Sequence, residues 1–375
     1  MPERARVEIA ATVVLPKTAL DALLRNIRAT GFALVGPQVA ADGIIYADLE
    51  DATQLPRGWT TEQAPGHFRL IRGGHDRYFD FIPGSQSWKK FLFPPLQELF
   101  TSRRLDGRWV YEARQVQSEP RAFIGVRACE LAAMGIQDNI FLRPDFEDPT
   151  YRERRASIFI LAVDCLHPAA TCFCAAMSSG PRVIRNFDLC LTELDDVFLL
   201  RIGTEAGARA ALDLPVQPST PALAEAAMEA LARAIGKTRS EVDPQQCAEA
   251  ILSNLESPRW ETIAGRCLSC GNCTLVCPTC FCWDVSDEVN VQGTEAGRVR
   301  IWDSCFNPGY SHQAGGNTRP STKSRYRQWL SHKFGSWQKQ FGTLGCVGCG
   351  RCITWCPAGI DTRVEVAAFQ KETAT

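Results

Sequence analysis

Eight cysteines stand in two runs of identical spacing. Cys267, Cys270, Cys273 and Cys277 precede Pro278, and Cys346, Cys349, Cys352 and Cys356 precede Pro357. Each run reads C-x2-C-x2-C-x3-C-P, the spacing that holds cubane iron–sulfur clusters in bacterial two-cluster ferredoxins. Steps of three residues would rotate the third thiol away from the first on a helix, so each run fits a loop wrapped around a cluster. Gly271 and Gly350 let the backbone approach closely. In such paired runs three thiolates grip one cubane, and the fourth, before the proline, reaches the other. One cluster then takes Cys267, Cys270, Cys273 and Cys356; the other takes Cys346, Cys349, Cys352 and Cys277. Structural zinc also favours paired C-x2-C, but it leaves the third cysteine and the prolines unexplained. The chemistry is electron carriage.

Four more cysteines lie in the first half. Cys129 follows an apolar stretch, Ala122–Val126, and opens a helical pattern; Cys165 ends the apolar run Ser157–Val163; Cys172 and Cys174 share a loop closed by Gly180-Pro181. If the two apolar runs are neighbouring parallel strands, Cys129 and Cys165 emerge at one carboxyl edge, where α/β ligand sites form. A helix start beside Cys129 would favour its thiolate. These four are candidates for a third [4Fe–4S] cluster, against zinc, a redox-labile thiol set or plain buried thiols. Cys280, Cys282 and Cys305 read as thiols packed near a cluster, with a three-cysteine site completed by His312 as the alternative. Cys190 and Cys247 read as packing residues.

The elements that must position these groups follow from periodicity. Leu20, Leu23, Leu24 and Ile27 form a helical stripe within 17–28; 32–35, 44–49, 68–71 and 78–82 are strand candidates. Ser157–Val163 suits a strand buried on both faces. The stretches 187–194 and 197–202 flank Asp195-Asp196 as a hairpin. Residues 212–220 read as a linker, and 221–235 and 244–255 as helices with proline near the first turn. Between Cys277 and Cys346 lie 68 residues, with a helix over 326–334. That insert is far longer than a compact ferredoxin leaves. The expectation is an α/β N-terminal domain, 1–240, followed by a mainly α-helical dicluster ferredoxin-type domain, 241–375.

Composition narrows the classes. Lys plus Arg is 41 against 42 for Asp plus Glu, a net charge of −1, which argues against nucleic acid. The opening, Pro2–Ala11, is charged and lacks a secretory apolar core, and no stretch approaches the roughly 20 apolar residues of a membrane span. Seventeen cysteines that must stay free for metal fit a reducing cytoplasm. Gly73-Gly74 and Gly315-Gly316 lack a nucleotide-loop context and read as turns. The five histidines are scattered. No catalytic constellation appears. Arg319, Lys323, Arg325, Arg327 and Lys333, interleaved with Tyr326 and Trp329, read as a solvated face or as a docking surface for an acidic redox partner.

The segments 267–284, 302–306 and 325–361 resemble the beta subunit of soluble, cytoplasmic, NAD(P)-linked [NiFe] hydrogenases, also called sulfhydrogenases. The likeness rests on Cys267-Leu-Ser-Cys-Gly-Asn-Cys-Thr-Leu-Val-Cys-Pro-Thr-Cys-Phe-Cys282, Trp302-Asp-Ser-Cys-Phe306 and Cys346-Val-Gly-Cys-Gly-Arg-Cys-Ile-Thr-Trp-Cys-Pro357. In the first half it rests on Gly125-Val-Arg-Ala-Cys-Glu130 and Thr171-Cys-Phe-Cys174. Ala128 stands where the family's turn carries proline. The resemblance implies a non-catalytic electron-transfer subunit relaying electrons between a flavin- and NAD(P)-binding subunit and the small and large subunits of a [NiFe] hydrogenase. A sulfite or polysulfide reductase complex is the alternative setting, and an iron–sulfur redox sensor the alternative role.

Overall fold

The computed structural model describes residues 7–41, 43–113 and 119–374; residues 2–6 of the charged opening lie outside that range. Its largest sheet has eight strands, in the order Gln217–Pro218, Thr12–Pro16, Val197–Ile202, Leu189–Glu193, Ile158–Val163, Arg121–Arg127, Ala33–Ala40, Gly43–Asp48. The four central strands, 33–40, 121–127, 158–163 and 189–193, run parallel, and the flanking pairs are antiparallel.

Helices cover both faces, which explains the unbroken apolar run at 158–163. Phe159, Leu161 and Val163 enter one core with Leu20, Leu23, Leu24 and Ile27 of the helix Leu20–Ala29. Ile160 and Ala162 enter the other, with Leu131, Met134 and Phe141 of the helix Ala128–Phe141. Strand alternation thus feeds two cores from one segment.

The strand 121–127 carries a bulge: Ile124 pairs with Leu161, yet Val126 pairs with Ala162. Gly125 takes φ +84°, and a Cβ there would lie 2.9 Å from the Phe79 ring. The extra residue returns Val126 to the same core as Phe123 and turns Arg127 toward 79–81 just before Cys129.

Two expectations need correction. Residues 78–82 are buried but form no strand. Side chains satisfy their backbone instead: the Glu193 carboxylate accepts from Tyr78 N and Phe79 N at 2.8 Å each, and Arg127 Nη2 donates to Phe79 O and Phe81 O. The C-terminal part is also not clearly mainly helical. Alongside its helices it contains Trp283–Val289 and Glu295–Trp302, a hairpin turning through Gly293 at φ +66°, and two short strands, His312–Gln313 and Gly316–Asn317. The hairpin joins Leu96–Leu105 and Arg108–Ala113 in a four-stranded antiparallel sheet.

Candidate iron–sulfur centres

The two cysteine runs fold as copies of one motif. In the first, Ser269 (φ +51°) and Gly271 (φ +77°) bracket Cys270, and the four-residue helix Asn272–Leu275 follows. In the second, Gly348 (φ +64°) and Gly350 (φ +75°) bracket Cys349, and the helix Arg351–Thr354 follows. Ser269 N donates to Cys267 Sγ at 3.4 Å, and Gly348 N donates to Cys346 Sγ at 3.4 Å. The alternating left-handed residues turn amide N–H groups toward sulfur, as an anion-binding loop requires.

Cys267, Cys270 and Cys273 line one cavity, and Cys356 of the other run lines it with them. Cys352 also reaches this wall. Two buried donors of the lining, the Tyr326 hydroxyl and Trp329 Nε1, have no hydrogen-bond partner among the described residues. Unpaired buried donors are costly and call for acceptors; thiolates and sulfide ions at the cavity's centre would supply them.

The second set gathers Cys277 with Cys346, Cys349 and Cys352. Cys352 is pushed well up by burial and by the fields of Cys346, Cys349 and Cys277. Burial, against the Lys333 ammonium, raises Cys346 to about 12. Cys277 alone moves down: the Cys280 thiol donates to it and Lys333 stands beside it. Lys333, fully within the fold, donates to Cys277 Sγ at 3.2 Å, Thr279 Oγ1 at 2.9 Å and Gly345 O at 3.0 Å.

The third set is brought together as well. Strands 121–127 and 158–163 are parallel neighbours, so Cys129 and Cys165 leave the same sheet edge. Cys172 and Cys174 face them across a second cavity, whose wall includes Arg127, Glu130, Cys349 and Arg351. Burial raises the Cys129 and Cys172 thiols strongly and Cys174 to about 12, and neighbouring cysteines add to each. The helix start at Cys129 does not prevail over burial. Metal binding here would displace protons from thiols that otherwise hold them. Ala128 occupies the first position of its helix, after an extended Arg127 (ψ 160°); alanine there keeps the geometry that proline would impose.

The loop 171–174 lies directly on the second run. Phe173 N donates to Gly348 O at 2.8 Å, and the Thr171 and Thr354 hydroxyls are 2.8 Å apart. Thr354 donates on to Gln63 at 3.0 Å. Arg351 forms a buried ion pair with Glu130, whose other oxygen accepts from Trp88 N.

A 4Fe-4S dicluster domain model matches residues 266–360. The beta subunit of sulfhydrogenase 2 from Pyrococcus furiosus is 32% identical over 281 residues, covering 73% of this chain and 79% of that protein. This chain belongs to the sulfhydrogenase beta-subunit family. No solved structure matches it. Its dicluster domain makes it an iron–sulfur, electron-transferring member of an oxidoreductase assembly.

Within this family member the remaining cysteines sort by contact. Cys280 donates to Cys277, and Cys305 and Tyr310 donate to Cys282, bringing the Cys282 thiol down to about 6 while Cys305 rises. His312, the fourth member of the alternative three-cysteine site, lies exposed on the short strand His312–Gln313. Cys190 and Cys247 are buried in the cores. Among the described residues no helix is long and apolar enough to cross a membrane.

The basic stretch departs from expectation. Tyr326 and Trp329 belong to a core, Arg325 and Lys333 are buried, and Lys323 and Arg327 are ion-paired with Glu261 and Glu256. The stretch is no open docking face. Sequence reading missed Lys333 and Arg127 as site residues. Helical spacing from Tyr326, Trp329 and Leu330 would have put Lys333 on the apolar face; Arg127 followed an apolar strand and carried no such signal.

Proposed function

We propose that this chain is the non-catalytic electron-transfer subunit of a hydrogenase complex, with three [4Fe–4S] clusters between a flavin- and NAD(P)-binding subunit and a [NiFe] core. The first cluster is assigned to Cys267, Cys270, Cys273 and Cys356, the second to Cys346, Cys349, Cys352 and Cys277, and the third to Cys129, Cys165, Cys172 and Cys174. When bound, such clusters each accept and release one electron. The protein supplies the thiolates, excludes water and directs N–H donors at sulfur.

The observation that carries this reading is shared walls. Cys352 of the second set reaches the first cavity, and Cys349 of the second set lines the third. The three sets therefore form a contiguous series, first to second to third. A series of adjoining one-electron sites suits relay. A reducing cytoplasm is the compartment we assign, since the thiolates must remain open to iron.

The test is the assembled complex, isolated without oxygen through a tag on this chain. Hydrogen or NAD(P)H should reduce its clusters within turnover time, and a nickel-containing subunit should accompany it. A sirohaem protein in place of nickel, or clusters that stay oxidised during turnover, would contradict the assignment.

A further inference from the structure

Four buried basic side chains face the cysteine sets, and they are not equivalent. Lys89 donates to Cys280 O at 3.2 Å and holds its ammonium over the Trp302 ring, 3.7 Å from the centroid. Arg351 has its counter-charge in Glu130. Lys333 has none: it is 6% exposed, donates to two neutral oxygens and to Cys277 Sγ, and pairs with no carboxylate among the described residues. It sits on a π-helical turn, His332–Ser336, the kind of irregularity found at functional positions. Arg127 is 3% exposed and lines the third cavity. Its Nη2 is taken up by Phe79 O and Phe81 O, while Nε and Nη1 have no hydrogen-bond partner among the described residues.

A buried cation without a counter-charge is strongly disfavoured. Both positions make sense once anions occupy the space in front of them. The first cavity differs. Among the described residues no lysine or arginine lines it, and its unpartnered donors, the Tyr326 hydroxyl and Trp329 Nε1, are neutral. Reduction adds a negative charge to a cluster, so a fixed neighbouring cation favours the reduced form and raises the potential; net charge and hydrogen bonds to sulfur are the known levers.

We propose that Lys333 and Arg127 are the fixed counter-cations of the second and third clusters and hold both at higher potential than the first. An electron that enters at the first cluster is then drawn inward. The proposal rests on the three-cluster reading, but its two halves stand on separate residues.

The experiment is a redox titration of the full chain, purified without oxygen, followed by electron paramagnetic resonance with iron content measured in parallel. Cys270→Ser marks the signal of the first cluster. Lys333→Met and Lys333→Gln should each lower the potential of one other signal, and Arg127→Met that of a third, while the first signal keeps the lowest wild-type potential. Unchanged potentials at full iron content, or a first cluster of highest potential, would overturn the proposal. If Lys333→Met and Lys333→Gln lose a cluster, retention in Lys333→Arg supports the need for positive charge; loss in all three makes Lys333 merely structural and overturns its role. Wild-type iron near eight atoms, the sum for two cubanes, would remove the third-cluster reading and Arg127 with it, and the Lys333 variants would still decide their own half.

Discussion

Gly350→Ala tests whether the third set is built on the second. At Gly350 the backbone has φ +75°, and a Cβ would stand 2.5 Å from Thr171 O and 2.8 Å from Thr171 Oγ1. Two penalties combine. The left-handed conformation costs a non-glycine residue roughly 1–2 kcal/mol, and forcing a methyl into packed backbone costs about 1–3 kcal/mol more. Gly107 supplies the control: it has φ +78° in the turn between Leu96–Leu105 and Arg108–Ala113, with nothing within 4 Å of its would-be Cβ. Gly107→Ala should show the conformational penalty alone. The difference between the two variants, about 1–3 kcal/mol, measures the contact between the loops. Urea titration without oxygen, followed by visible cluster absorbance, reads both. Gly350→Ala should bleach at clearly lower urea and lose iron, while Gly107→Ala keeps full iron. Equal midpoints would show that 171–174 yields freely, and the account of a tightly joined pair of loops would fail.

Replacing Cys172 and Cys174 together with serine should remove about four iron atoms per chain, one cubane's complement, while Cys349→Ser should lose or convert the second cluster and loosen the C-terminal fold; unchanged iron and spectra would refute either assignment. Ala128→Pro should keep all iron and stabilise by about 0.4–1 kcal/mol, because the first helical turn accepts proline and the unfolded chain loses freedom; lost iron would show that this turn does not tolerate the ring. His332 accepts from Trp337 Nε1 at 2.9 Å, and burial, with Lys333 and Arg319 nearby, lowers its pKa to about 4. Since that value lies below the unfolded one of about 6.5, its contribution to stability is full above about pH 6.5 and is lost as pH falls through about 4. Unfolding midpoints taken from pH 7 to 4 should fall more steeply in wild type than in His332→Gln, and parallel slopes would refute it.

What could be read from the sequence was local. The cysteine spacing carries its own geometry, so the repeated runs were legible in full, as were the helix 20–29, the doubly buried strand 158–163 and the hairpin 189–202. That Cys129, Cys165, Cys172 and Cys174 share one cavity could be anticipated because Cys129 and Cys165 each closely follow one of two parallel strands. The rest depends on distant partners. Residues 78–82 are apolar enough for a strand, but Glu193 and Arg127 hold their backbone. The hairpin 283–302 does alternate, with Trp283, Val285 and Val289 on one side, a signal overshadowed by the helix further along the insert. The Thr171–Thr354–Gln63 chain joins residues far apart in sequence, and no pattern announces it. Lys333 looked like part of a solvated basic run because charge was weighed before helical phase.

Iron and acid-labile sulfide per chain, on protein purified without oxygen, test the central claim most directly, with electron paramagnetic resonance of the reduced sample. Three cubanes predict about twelve iron and about twelve sulfide, and coupled signals from clusters in adjoining sites. About eight of each would confine the clusters to the two cysteine runs and leave Cys129, Cys165, Cys172 and Cys174 as buried thiols, contradicting the three-site relay.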